Sequence, residues 1–125
     1  MTKKITILVS DHNKNVREYI KREISKKGYS VYLAQNSKQV FRYIEHDKSI
    51  DLLILDPEMP DLDENTLLEE IHRKNPALPV IIHTLSKEYK IAENSHNIAA
   101  VIEKIDNSVE SLQEVISWLF KKRRD

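Results

Sequence analysis

The sequence predicts an α/β fold in which five parallel strands form one sheet with helices on both faces. Short runs rich in β-branched and apolar residues recur five times, and a segment with helical spacing of apolar residues follows each run. Strict alternation of this kind is typical of parallel sheets, because each helix returns the chain to the edge where the next strand begins. The length of 125 residues suits one domain. We therefore expect a single domain over residues 1–125, with no effector domain.

The first two strands flank a helix that has one apolar face. Ile5–Val9 is short and β-branched, which favours a buried strand. Between Val16 and Ile24 apolar residues recur every four positions, which predicts an amphipathic helix. Gly28 is the only glycine and follows this helix, at a position where a positive φ ends many helices. Val31–Ala34 is the second predicted strand.

The middle of the chain holds the central strand. Asn36 with Gln39 resembles a capping box, which predicts the start of the second helix. Ile50–Leu55 is nearly continuous in apolar residues, as expected for a parallel strand that is buried on both faces. The third helix follows this strand and ends before Pro76, because proline cannot continue a helix.

Two more strands and two more helices complete the predicted order. Val80–Ile82 is the fourth strand, and Ser86–Glu93 has the pattern of a short fourth helix. Ile98–Ile102 is the fifth strand. Asn107 with Glu110 resembles a second capping box, ahead of a fifth helix with a clear apolar face.

Composition excludes several classes of function. The chain has no cysteine, which rules out disulfides, thiolate zinc sites and a cysteine nucleophile. Basic and acidic residues balance at 20 each, so no net field favours nucleic acid or an anionic membrane. The apolar runs are too short to span a bilayer, and the first residues lack the pattern of a secretory signal. We expect a cytoplasmic location.

Polar side chains end four of the five predicted strands. Ser10 and Asp11 follow the first strand, Asp56 the third, Thr84 the fourth and Lys104 the fifth. Ligands of open α/β sheets bind beyond the carboxyl ends of the strands, so these side chains are expected at one site.

The residue types at this edge suit one kind of chemistry. Two neighbouring carboxylates repel each other, and a hard divalent cation such as Mg²⁺ relieves the repulsion through oxygen ligands. A carboxylate also serves as a nucleophile that forms an aspartyl phosphate, and a nearby ammonium and hydroxyl stabilise phosphoryl oxygens. The sequence therefore predicts a magnesium-assisted phosphoryl-transfer site.

Four segments of the chain resemble the CheY-like receiver domains of response regulators in two-component signalling. The resemblance covers nearly the whole chain, and it implies a flavodoxin-like strand order of 2-1-3-4-5. The segment around the phosphoacceptor is the most specific of the four. The matching segments are Ile7–Asp11, Leu53–Asp63, Pro79–Thr84 and Ala100–Lys104.

The resemblance implies a role for each matching position. Asp56 would be the phosphorylated residue, with Asp11 and the main-chain carbonyl of Glu58 as further magnesium ligands. Thr84 and Lys104 would contact the phosphoryl group. The donor would be a phosphohistidine on a sensor histidine kinase or a phosphotransfer protein. The domain would catalyse only its own phosphorylation and dephosphorylation, so we do not expect an enzyme in the wider sense.

Five positions depart from the pattern of the family, one of which is Glu64 in place of a common glycine after Asp63. Ser10 replaces the first acid of the acidic pair, which leaves only a weak magnesium contact through water. Leu85 stands where a small residue is usual, and Val101 stands where an aromatic switch residue is usual. Ile105 replaces a proline with a cis peptide bond, and we expect a trans bond because a non-proline cis bond costs about 3 kcal/mol.

These departures leave two functions open. The first is a phosphorylation switch that binds a downstream protein through the fourth helix, fifth strand and fifth helix, a face that could also form a homodimer. The second is a pseudo-receiver, a protein-interaction domain independent of phosphorylation. A flavin-binding domain of similar fold would need a phosphate-binding loop that this sequence lacks.

Other side chains have simpler interpretations. His83 is expected to pack within its strand, and the histidines lack the spacing of a zinc site. The basic run Lys121–Arg124 is expected to be solvated at a helix end rather than to bind nucleic acid. Trp118 is either a core residue or an anchor for a partner.

Overall fold

The computed structural model describes residues 4–85 and 97–121. The helix that the sequence predicts over Ser86–Glu93 lies outside these residues. The end of the basic run, residues 122–124, lies outside them as well. Within them the chain forms five strands and four helices. Their order is β1 Thr6–Ser10, α1 Lys14–Ser25, β2 Ser30–Ala34, α2 Ser37–His46, β3 Leu52–Leu55, α3 Glu64–Lys74, β4 Val80–Thr84, β5 Ile98–Glu103 and α4 Ser108–Leu119.

The strands form one parallel sheet in the order β2-β1-β3-β4-β5, which confirms the predicted fold class. The register brings the strand ends level with one another. Ser10 pairs with Leu55 at the ends of β1 and β3, and Thr84 pairs with Glu103 at the ends of β4 and β5. The residues that follow these strands therefore meet at one edge of the sheet.

Each face of the sheet carries its own hydrophobic core. Along β3, Leu52 and Ile54 pack with the core under α1 and α4, whereas Leu53 and Leu55 pack with the core under α2 and α3. This alternation follows from the two-residue period of a strand. All four side chains are fully buried, and each contributes about 2 kcal/mol through removal of apolar surface from water. The central strand is thus held by packing on both faces, which fixes the position of Asp56 directly after it.

The two predicted capping boxes have different outcomes. The Asn36 side chain accepts a hydrogen bond from the Gln39 main-chain N–H at 2.9 Å, but the Gln39 side chain accepts from Gln35 and not from Asn36. The prediction for Asn107 is wrong, because this N-cap residue makes no side-chain capping bond. Its φ of −107° and ψ of 22° lie outside the extended region from which a side chain reaches the first turn.

Gly28 has the predicted backbone conformation. Its φ is +92°, and its N–H donates to the Ser25 carbonyl at 3.0 Å just after α1. An L side chain is strained at such a φ, whereas glycine adopts it readily. This residue turns the chain from α1 into β2.

Asp61 fixes the loop after β3 to the start of α2. Its two carboxylate oxygens accept hydrogen bonds from the main-chain N–H groups of Ser37 at 3.0 Å and Lys38 at 3.1 Å. These donors have no partner within their own helix, since the first N–H groups of a helix are always unpaired. The contact joins two segments that are distant in sequence and steadies the loop beside the end of β3.

Candidate functional site

Two buried carboxylates and one ammonium group meet at the edge of the sheet where the strands end. Asp11 follows β1 and Asp56 follows β3, and both side chains are almost fully buried. Lys104 follows β5, and its Nζ lies 2.7 Å from Asp11 Oδ2 and 2.8 Å from Asp56 Oδ2. The structure therefore brings together three of the residues that the sequence predicts for the site.

Short turns fix the orientation of both carboxylates. Asn13 N–H donates to Asp11 Oδ1 at 2.9 Å, and Glu58 N–H donates to Asp56 Oδ1 at 3.0 Å. Asparagine and aspartate side chains commonly accept from the main chain two residues further on. In each carboxylate one oxygen is thus held by the backbone, and the other is directed toward Lys104.

The charge of Lys104 depends on these two partners. Burial opposes the charged form, but the hydrogen bonds and charges of Asp11 and Asp56 outweigh burial and raise the pKa of Lys104 above its usual value. Lys104 is therefore an ammonium group at neutral pH. Removing one member of such a buried pair leaves an uncompensated charge, which is strongly unfavourable.

Thr84 and Ser10 lie at the same edge. Thr84 is buried at the end of β4, and its carbonyl accepts the Lys104 main-chain N–H at 2.7 Å, which fixes the two residues side by side. The buried Ser10 hydroxyl donates to Met59 Sδ at 3.9 Å. The Ser10 proton is thus directed toward the loop after β3. Glu58 lies in that loop, and its side chain is exposed.

His12 also lies beside the two carboxylates, although it is not among the residues predicted for the site. Its Nδ1 lies 3.1 Å from Asp56 Oδ2 and 4.0 Å from Asp11 Oδ1, and its side chain is 47% exposed. Its position directly after a strand-end aspartate was the one signal that could have identified it.

His83 packs inside the protein, as predicted. Its side chain is 3% exposed, and Nε2 lies 3.0 Å from Ser108 Oγ at the start of α4. Burial, and then the positive charge of Lys104, lower the pKa of His83 to about 4. The ring is therefore neutral at neutral pH and links β4 to the last helix.

Three other positions that depart from the family pattern differ in their surroundings. Leu85 and Ile105 are both mostly exposed, and no peptide bond among residues 4–85 and 97–121 is cis, as predicted for Ile105. Val101 is half-buried and packs with the core under α2 and α3. Trp118 is 72% exposed on α4, which excludes the core position that the sequence left open.

Comparison with known proteins decides the family. A family model described as the response regulator receiver domain matches residues 7–117. The chain belongs to this family. This receiver domain is 35% identical over 80 residues to the response regulator MprA of Mycolicibacterium vanbaalenii, which is 64% of this chain and 34% of that protein. It is 32% identical over 87 residues to the DNA-binding transcriptional regulator NtrC of a Bradyrhizobium species, which is 70% of this chain and 18% of that protein. The chain thus spans about a third of the first relative and less of the second.

Solved structures of receiver domains have the same fold. A CheY-like receiver domain protein from Methanospirillum hungatei superposes with a TM-score of 0.82 at 25% identity, over 98% of each chain. The response regulator TrrA from Thermotoga maritima, in complex with Mg²⁺ and BeF, superposes with a TM-score of 0.81 at 29% identity, over 92% of this chain and 98% of that one. The strand order and overall fold are therefore those of a receiver domain.

Proposed function

We propose that this receiver domain accepts a phosphoryl group on Asp56 from a phosphohistidine and changes its partner binding in response. The proposal depends on one observation: the Lys104 ammonium contacts both Asp56 and Asp11, whose buried carboxylates lie at the edge of the sheet. The ammonium balances the negative charge of Asp56 without a covalent bond, so a carboxylate oxygen can still act as a nucleophile.

The proposed transfer is a displacement at phosphorus. A carboxylate oxygen of Asp56 forms a bond to phosphorus while the N–P bond of the donor phosphohistidine breaks. The donor imidazole keeps the electron pair of that bond and takes up a proton. Lys104, which contacts Asp56, and the hydroxyl of Thr84, whose carbonyl accepts the Lys104 main-chain N–H, would stabilise the phosphoryl oxygens by charge and hydrogen bonding.

The residues present fit a divalent cation. Asp11 and Asp56 supply two buried carboxylates close enough to share one ammonium group, and such oxygen donors are those that Mg²⁺ prefers. Asp11, Asp56 and the main-chain carbonyl of Glu58 would hold the ion, with Ser10 as a weaker contact through water. The ion would supply neutralisation of phosphoryl charge, which assists attack by a carboxylate.

Partners and location follow from the same proposal. A sensor histidine kinase or phosphotransfer protein would donate the phosphoryl group, and a downstream protein would bind the face that contains β5 and α4. The domain would act on itself alone rather than as an enzyme with a separate substrate. None of the helices described in residues 4–85 and 97–121 has the length and apolar character needed to cross a bilayer. We propose a cytoplasmic location.

The proposal is tested by adding beryllofluoride and Mg²⁺, which together mimic an aspartyl phosphate. We expect a rise in melting temperature and shifts in amide NMR signals around Thr84 and Lys104 in the wild-type protein. Asp56→Asn should abolish both changes, whereas Asp106→Asn, at an exposed carboxylate near Lys104, should retain them.

Covalent labelling by acetyl phosphate completes the test. Labelled wild type with unlabelled Asp56→Asn supports the switch. Wild-type protein that neither responds to beryllofluoride nor accepts the label at saturating Mg²⁺ would be a pseudo-receiver, and the proposed function would be wrong.

A further inference from the structure

We propose that His12 is a metal ligand, so that Asp11, His12 and Asp56 form a mixed nitrogen and oxygen site that favours later first-row transition-metal ions such as Co²⁺ more than an all-oxygen site would. The inference rests on the location of the proposed phosphoryl-acceptor site. It adds a ligand and a cation preference that the function itself does not require.

The distances among the three side chains match those around a single ion. His12 Nδ1 lies 3.1 Å from Asp56 Oδ2 and 4.0 Å from Asp11 Oδ1, and one ligand atom from each residue lies within 4.8 Å of the others. Ligands at about 2.1 Å from an octahedral ion are about 3.0 Å apart when adjacent and about 4.2 Å apart when opposite. The spacings observed between the ring and the carboxylates fall in this range.

The imidazole is the solvent-exposed member of the three side chains. Asp11 and Asp56 are buried, but the His12 side chain is 47% exposed, so it forms the outer wall of the site. A groove of about 460 Å³ runs from His12 along the loop after β3 and is also lined by Asp63 and Glu64. The negative charge of these two carboxylates raises the local concentration of cations.

The chemistry of the donors sets the expected preference. The buried Ser10 offers a hydroxyl that donates to Met59 Sδ, where a carboxylate would have offered another hard oxygen. The His12 imidazole adds a nitrogen donor instead. Mg²⁺ favours oxygen ligands and gives up water reluctantly, whereas imidazole suits the later first-row metals. Loss of the imidazole should therefore weaken Co²⁺ binding much more than Mg²⁺ binding.

The experiment uses the full, unphosphorylated chain without an affinity tag, because histidine tags bind Co²⁺. Titration with Co²⁺ is followed by visible d–d absorption, and Co²⁺ and Mg²⁺ affinities are measured by calorimetry. For His12→Ala we expect at least about a 10-fold loss of Co²⁺ affinity, since even residues that only support a metal ligand are worth this much. Mg²⁺ affinity should change less than about 3-fold, because oxygen donors remain.

Two control variants make the result specific. His46→Ala removes an exposed histidine at the last position of α2 and should bind both ions as the wild type does. Asp56→Asn should weaken both ions. Urea unfolding of each variant verifies that it is folded before binding is measured.

The inference is wrong if His12→Ala binds Co²⁺ with wild-type affinity and spectrum, or if Co²⁺ and Mg²⁺ weaken equally. It is also wrong if Asp56→Asn leaves Co²⁺ binding unchanged, since the ion would then bind elsewhere. These outcomes are separate from the labelling test. A protein that binds Co²⁺ through His12 but accepts no label retains the metal site and loses the proposed function.

Discussion

As the pH falls from about 8 to about 5, the unfolded chain binds a proton at His83 that the folded protein does not bind. The ring is 3% exposed, and Nε2 contacts Ser108 Oγ at 3.0 Å. Burial and the charge of Lys104 lower the pKa of His83 from 6.5 to about 4, against the weaker opposing effect of Asp11 and Asp56. Lower pH therefore shifts the equilibrium toward the unfolded state.

The size of this effect follows from the two pKa values. A fall from 6.5 to about 4 corresponds to about 3 kcal/mol once the unfolded chain is fully protonated and the folded protein is not. The loss is negligible well above the unfolded pKa of 6.5, and it grows as the pH falls below that value until it levels off near pH 4. At about pH 5 it amounts to about 2 kcal/mol.

Urea unfolding at about pH 8 and about pH 5 measures this loss. The double variant His83→Val with Ser108→Ala removes the imidazole together with its partner, so no buried hydroxyl is left without a hydrogen bond. Between the two pH values it should lose about 2 kcal/mol less stability than the wild type. His46→Gln, at an exposed position, should behave as the wild type. If the wild type and the double variant had equal pH dependence, burial would not lower the pKa of His83 as described.

Two further substitutions test how the site is held. Lys104→Met should destabilise the domain by about 3 kcal/mol at neutral pH, because Asp11 and Asp56 lose their shared cation; saturating Mg²⁺ should restore part of the loss in urea unfolding. Asp61→Ala should reduce stability in the same assay by about 1 kcal/mol, since it removes the acceptor for two main-chain N–H groups at the start of α2, and Asp61→Asn should cost less.

The outcomes that would contradict these two predictions are different. A Lys104→Met variant as stable as the wild type, with or without Mg²⁺, would show that the lysine does not neutralise the carboxylates. An Asp61→Ala variant that retains full stability would show that water replaces the cap without loss.

The fold and the edge that carries the site were predictable from local patterns. Apolar runs identify buried strands, and the residue after each run falls at the carboxyl end of the sheet in any parallel α/β fold. Asp11, Asp56 and Lys104 could be found in this way. The strand ends were less accurate, since β4 continues to Thr84 and β5 to Glu103. Polar residues can continue the backbone ladder after the apolar run has ended.

Features that depend on loop conformation could not be predicted. The contact of His12 with Asp56 needs the direction of the chain after β1, and the cap that Asp61 provides joins residues 23 and 24 positions apart. Asn107 failed as a cap because its backbone angles, and not its residue type, decide whether its side chain reaches the helix. Residue spacing carries no information about such angles.

The ammonium group between the two carboxylates has a consequence for how the domain is made. Lys104 supplies a positive charge from the chain itself. A newly synthesised polypeptide can therefore bury Asp11 and Asp56 at this edge of the sheet without a bound divalent ion. Asp11 and Asp56 would then already be oriented for the proposed divalent ion, so under the proposed function metal availability would govern the chemistry of the domain rather than its folding.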